Sequence, residues 1–257
     1  MRKILYTGLL VTGLLVLGAC TTTEENEYLQ SPGTLTATVV NNGYAVQLQW
    51  DVVDDADGYY VYRGNVAVDT IDDKDSTTII VTVNDIYSVR AYKDDLLSDP
   101  TNSVDLRPVQ TDNVVMYDAI TYSDTAHPSG AGWDENGNLL VYPLTGHCDV
   151  VDMFYVNGLI KGIQQSTSSC PNSPDTTYFA LVNARYEDLD SIPVEPTTGE
   201  VPATVNAVYA VKVITSSRQV YYGKIKVVSV NTTEHSVTLS GALQLLEGYK
   251  RVGNAAK

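Results

Sequence analysis

Residues 46–64 read VQLQWDVVDDADGYYVYRG. Val46, Leu48 and Trp50 recur at period two, and Tyr59 and Val61 do so again beyond an acidic stretch. That spacing puts apolar side chains on one face of a β-strand, and branched and aromatic residues suit its pleated, half-buried surface. Between the two runs, Asp54 to Gly58 has the composition of a turn. The same texture extends outward through TLTATVV (34–40), TTIIVTV (77–83), IYSVRAY (86–92) and NSVDL (102–106). Turn-forming clusters separate the runs: Asn41-Asn42-Gly43, Asp72 to Ser76 and Ser98-Asp99-Pro100. Several short strands at this spacing, without a helical period, predict an antiparallel sandwich.

The 46–64 stretch followed by YSVRAYKDDLLSDPTNSVDL (87–106) resembles a fibronectin type III domain. Trp50 matches the family's core tryptophan, Gly58 to Arg63 its third strand, and Tyr87 the tyrosine-corner position of its sixth. The resemblance covers residues 32–107 and implies an immunoglobulin-like sandwich acting as a spacer or adhesion module, without chemistry of its own. The carboxylates of DVVDDADG could offer oxygen ligands to calcium. They occupy a turn before the third strand and no glutamate follows at EF-hand spacing, so the sequence favours a solvated turn.

At the amino terminus, Arg2 and Lys3 precede an apolar run that ends at Leu17-Gly18-Ala19-Cys20. A membrane-spanning helix needs about twenty apolar residues, so this shorter run reads as a signal peptide over 1–19. Its end resembles the lipobox of bacterial lipoproteins. That resemblance implies acylation of Cys20 and anchoring to a membrane through the N-terminal lipid, with Thr21 after the cysteine implying the outer membrane or cell surface. Residues 20–31 then read as the lipidated cysteine and a polar tether.

The chain carries 31 acidic and 16 basic residues, for a formal net charge of −15, and cleavage would remove two of the basic ones. Such a surface excludes nucleic acid as a partner. It leaves other envelope proteins and surface glycans open. Cys148 and Cys170 form an even pair in an exported protein and predict a disulfide, worth roughly 3 kcal/mol in the chain-entropy model.

Beyond Arg107-Pro108 the sequence is β-rich again, and we expect a second antiparallel sandwich or partly closed barrel over 108–257. Strand candidates include NVVMYDAITY, NLLVYP, VVDMFYV, YFALVNA, AVYAVKVIT, QVYYGKIKVVSV and SVTLSGALQLL. YEDLDS (186–191) suits a single helical turn, and the tail RVGNAAK is expected to fray. The closing strands resemble those of HmuY-like lipoproteins, which implies a haem-binding body, but no axial ligands align with it.

With three histidines the catalytic repertoire is thin, and no HExxH, GxSxG, Walker or GxGxxG motif occurs. His127 and His147 are candidate ligands for a metal or haem iron, with Met116 or Met153 as soft alternatives; exposed loop histidines are the plainer reading. Asp134, Glu135, Asp149 and Asp152 could supply a glycosidase carboxylate pair but read more simply as turn and strand-face residues. Trp133, in WDENGN, is a candidate sugar platform or a core plug. Together these features predict a non-enzymatic, lipid-anchored protein with no obligatory cofactor, in which the fibronectin module presents a β-rich binding or assembly domain. The alternatives are a haem or glycan receptor and a secreted carbohydrate-active hydrolase.

Overall fold

The computed structural model describes residues 28–122, 124–164, 173 and 175–253. The leader, Cys20 and most of the tether lie outside the described residues, as do Cys170 and the last four residues. The protein is all-β, and among the described residues the only helical turns are two 3-10 turns, at Asn41–Gly43 and, as the sequence suggests, Tyr186–Asp188. No helix among these residues is long and apolar enough to cross a membrane.

The first body contains β1 (Thr36–Val40), β2 (Ala45–Gln49), β3 (Gly58–Arg63), β4 (Val66–Ile71), β5 (Thr78–Val81), β6 (Ile86–Lys93), β7 (Leu96–Leu97) and β8 (Val104–Asp105). One sheet runs β1-β2-β5 and the other β4-β3-β6-β7, with β8 also on β6. All pairings are antiparallel. The alternation read from the sequence decides what the sheets enclose. Val46, Leu48, Trp50, Tyr59, Val61, Tyr87 and Val89 all enter one core, each contributing about 2 kcal/mol by burial. Trp50 meets the edge of Tyr59 at 5.4 Å, while Tyr60 faces outward onto Tyr92 at 4.6 Å. Tyr87 keeps its ring in the core and donates its hydroxyl back to the Val83 carbonyl at 2.9 Å, the bond a tyrosine corner makes.

The second body contains β9 (Val109–Tyr117), β10 (Gly130–Trp133), β11 (Leu139–Tyr142), β12 (Met153–Val156), β13 (Leu159–Gly162), β14 (Thr176–Val182), β15 (Glu200–Pro202), β16 (Val208–Ile214), β17 (Val220–Asn231) and β18 (Ser236–Leu243). The sheets run β11-β10-β12-β13-β15 and β14-β16-β17-β18-β9. Both are open, so this is a sandwich and the partly closed barrel is set aside. Tyr209, Val211, Ile225, Val227, Val237 and Leu239 project from one sheet into the main core.

The opposite face of β16–β18 is covered as well. Residues Tyr186, Leu189, Ile192 and Val252 pack over Val208, Ala210, Tyr222 and Ala242. Lys224 lies beneath them, 1 % exposed, which period-two reading alone would have left in solvent. Its Nζ donates to the carbonyls of Tyr186 (2.8 Å) and Leu189 (3.1 Å) and sits 4.5 Å from the Tyr186 ring centre. A buried cation with such partners is tolerated where an unpaired one would not be.

The expected fraying of the tail is corrected as far as Gly253. Tyr249 is fully buried in the first body's core. Lys250 N donates to Gly43 O at 2.7 Å, Asn84 Nδ2 to Gly253 O at 2.8 Å, and Gln244 Nε2 to Leu106 O at 2.8 Å. Gly43 permits this approach: its φ is +95°, and a Cβ there would lie 2.5 Å from the Gly248 carbonyl oxygen. The end of the second body is therefore built into the first.

Candidate functional site

One end of the second sandwich opens into a cleft between its two sheets. β10 delivers Trp133 to the rim, and the turn from Asp134 to Asn138 carries the chain into β11, with Gly137 in the left-handed region at φ +81°. Trp133 ends a strand and packs partly on the main core while lining the cleft, so it is not a pure core plug. Among the described residues its buried Nε1 has no hydrogen-bond partner.

Asp152 precedes β12 and is locked by its backbone, its N–H donating to Ala131 O at 2.9 Å and its carbonyl accepting from Ile163 N at 2.8 Å. Its Oδ2 accepts the Trp133 backbone N–H at 2.8 Å, and its other oxygen takes no hydrogen bond among the described residues. Gly132 lets the chain pass close by, since a Cβ there would collide with the Val150 carbonyl. From the opposite sheet, Asp175 stands before β14, and its Oδ1 accepts from Ser216 N at 2.9 Å. Tyr221 of β17 and Leu243 of β18 complete that wall.

The cleft comprises two adjoining hollows of about 320 and 390 Å³ that share Trp133, Asp134, Glu135, Asp152 and Asp175. The second adds Asn136, Tyr142 and Asp149. No lysine, arginine or histidine lines either hollow among the described residues. Burial pushes the Asp152 carboxyl up to about 7, against the opposing pull of the Trp133 N–H and with a further push from Asp175. Burial also raises Asp175, partly countered by the Ser216 N–H. Asp134 moves the other way, held below its ordinary value chiefly by the Asn138 side chain. It accepts from Asn136 N and Asn138 N and so closes its own turn.

Reading the acids as turn and strand-face residues is therefore incomplete, because the fold gathers all four with a fifth, Asp175. No local pattern singles out Asp175: it lies in a polar, proline-broken stretch and reaches the cleft through the pairing of β14 with β16, where Thr176 faces Ile214.

The other candidates lie elsewhere. His127 is paired with Asp124 through Nδ1 at 2.9 Å, stacked on Tyr122 at 4.2 Å and edge-on to Tyr117 at 4.9 Å. His147 is exposed, 6.0 Å from the Tyr142 ring. Met116 and Met153 are fully buried in the main core. Among the described residues no three His, Cys, Asp or Glu side chains gather into a group able to hold a metal ion, the acidic turn of the first body included. The histidine and methionine ligand set is thus not assembled, since its members belong to an aromatic cluster, a loop and the apolar core. Cys148 places its Sγ 3.5 Å from the Leu144 carbonyl oxygen; its expected partner, Cys170, lies outside the described residues.

No family model and no curated protein matches the chain. Solved structures similar to parts of it include the spore cortex lytic enzyme SleM of Clostridium perfringens, at 19% identity over 30% of this chain and a TM-score of 0.26. This chain spans 28% of that enzyme's length. Another is the human OSCAR ligand-binding domain, at 12% identity over 82% of this chain and 95% of that one, with a TM-score of 0.25. Likenesses this weak carry no argument about what the protein does.

Proposed function

We propose that this protein is a non-enzymatic, lipid-anchored envelope protein whose second sandwich binds a glycan in the Trp133–Asp152–Asp175 cleft. On this reading Cys20 carries the lipid, a fibronectin type III module serves as spacer, and a Cys148–Cys170 disulfide staples the loop beside the cleft. The lipobox-like LGAC and the core placement of Trp50, Tyr59 and Tyr87 support the first two parts. The observation that carries the binding site is Asp152, 5 % exposed, with an oxygen that no described residue occupies at the wall of an aromatic-rimmed cleft. A sugar ring stacks on an indole through its C–H face, while its hydroxyls donate to carboxylates.

Two measurements test the reading. Metabolic labelling with palmitate should mark the full-length protein and not Cys20→Ala. Screening the protein against immobilised glycans should give binding that Trp133→Ala abolishes, with no turnover of glycoside substrates. Turnover lost in Asp152→Asn would replace the binding reading with a hydrolase.

A further inference from the structure

We infer that the glycan recognised by this cleft carries a free, protonated amine, as an amino sugar without its N-acetyl group does. The inference rests on the glycan reading above and specifies its ligand. Five carboxylates line the two hollows, and no cationic side chain faces them among the described residues. The lysines of β16 and β17 lie on the outer face of their sheet, away from the cleft: Lys212 pairs with Glu195 at 2.6 Å and Lys224 is held by backbone carbonyls.

The cleft therefore sets five carboxylates against donors that are all neutral, among them the hydroxyls of Tyr142, Thr215 and Tyr221 and the Asn136 amide. A neutral sugar presents hydroxyls that both donate and accept, and an N-acetyl group adds a carbonyl that needs a donor. An ammonium is the complement: three donors, no acceptor, one positive charge. Asp152 and Asp175 stand on opposing sheets, each with one oxygen occupied by a backbone N–H and, among the described residues, nothing bonded to the other. The Trp133 ring at the rim adds an attractive face for a cation. A bare metal ion fits less well, because these carboxylates do not converge into a metal-holding group. The charge must arrive on a framework that spans the gap.

The test is calorimetric titration of the detergent-solubilised full-length protein with three probes: an oligoglucosamine, its fully N-acetylated counterpart, and the diamine cadaverine. The expected result is binding of the oligoglucosamine, with the acetylated form weaker by tenfold or more. Asp152→Asn and Asp175→Asn should each weaken oligoglucosamine binding roughly ten- to a hundredfold, as expected for a charge-assisted hydrogen bond. Both keep an oxygen to accept the existing backbone N–H. Glu135→Gln, on the exposed turn, should weaken it severalfold without threatening the fold. Equal affinity for the two sugars overturns the amine and leaves the glycan reading standing. Cadaverine matching the oligoglucosamine overturns the glycan reading instead. Failure of both sugars to bind overturns the two together.

Discussion

Lys224 and Asp152 are both buried ionisable side chains of the same sandwich, yet their surroundings differ in kind. Lys224 lies on the outer face of β17 under a lid of loop and tail, with two carbonyls and an aromatic ring turned to it. Asp152 lies at the mouth between the sheets, with one backbone donor on one oxygen. Burial lowers Lys224 to about 8 and raises Asp152 to about 7, so both charged forms are resisted. In the lysine the resistance is largely answered by the fold, which makes it a structural pin. In the aspartate it is left partly unanswered, as at a site kept for a ligand at some loss of stability.

The comparison is broken most forcefully at Asp152. Its folded value lies above its ordinary 3.8, so between the two the folded state binds more protons than the unfolded chain. Its contribution to stability is full below about pH 4 and is lost as pH rises through about 7. Asp152→Asn removes that loss and should stabilise the protein by roughly 3–4 kcal/mol at about pH 8, read from urea midpoints at both ends of the window. Lys224→Ala should do the reverse, stranding two carbonyls and opening a cavity at a cost of about 3 kcal/mol; chemical denaturation at neutral pH checks it. Gly43→Ala tests the junction with the first body. The positive φ and the nearby Gly248 carbonyl predict a loss of about 2 kcal/mol, together with faster amide exchange around Tyr249. The smallest effect belongs to the first body: Tyr87→Phe forfeits one bond to Val83, about 1 kcal/mol, visible as a modest fall in Tm.

The first body was the more legible of the two because each of its signals is local. Trp50, Tyr59, Val61 and Tyr87 announce their faces by alternation, and turn clusters mark the reversals before β2, β3 and β5, whereas β4, exposed along most of its length, shows no such face. β10, by contrast, reads Gly-Ala-Gly-Trp, and small residues carry neither strand propensity nor a period. Its glycines are there to admit neighbouring atoms, the Val150 carbonyl at Gly132 and the Val151 side chain at Gly130, and such crowding leaves no mark on the sequence. Without β10 as a landmark, Trp133 and the acids read as separate features. Gathering Asp134, Glu135, Asp149 and Asp152 requires knowing that two sheets face each other and that Asp175 stands across from Asp152. The order of the tail is hidden for a similar reason: RVG carries no pattern of its own, and what holds it is Tyr249 buried in the first body's core.

Asp152 is a buried carboxyl with one oxygen bonded among the described residues and the other turned to the cleft. Titrating its carboxyl carbon by NMR in the ligand-free protein, with the resonance assigned by its absence from Asp152→Asn, tests that claim most directly. The expected midpoint is near 7, falling when oligoglucosamine is added. A midpoint at the ordinary aspartate value, unmoved by the sugar, would contradict it.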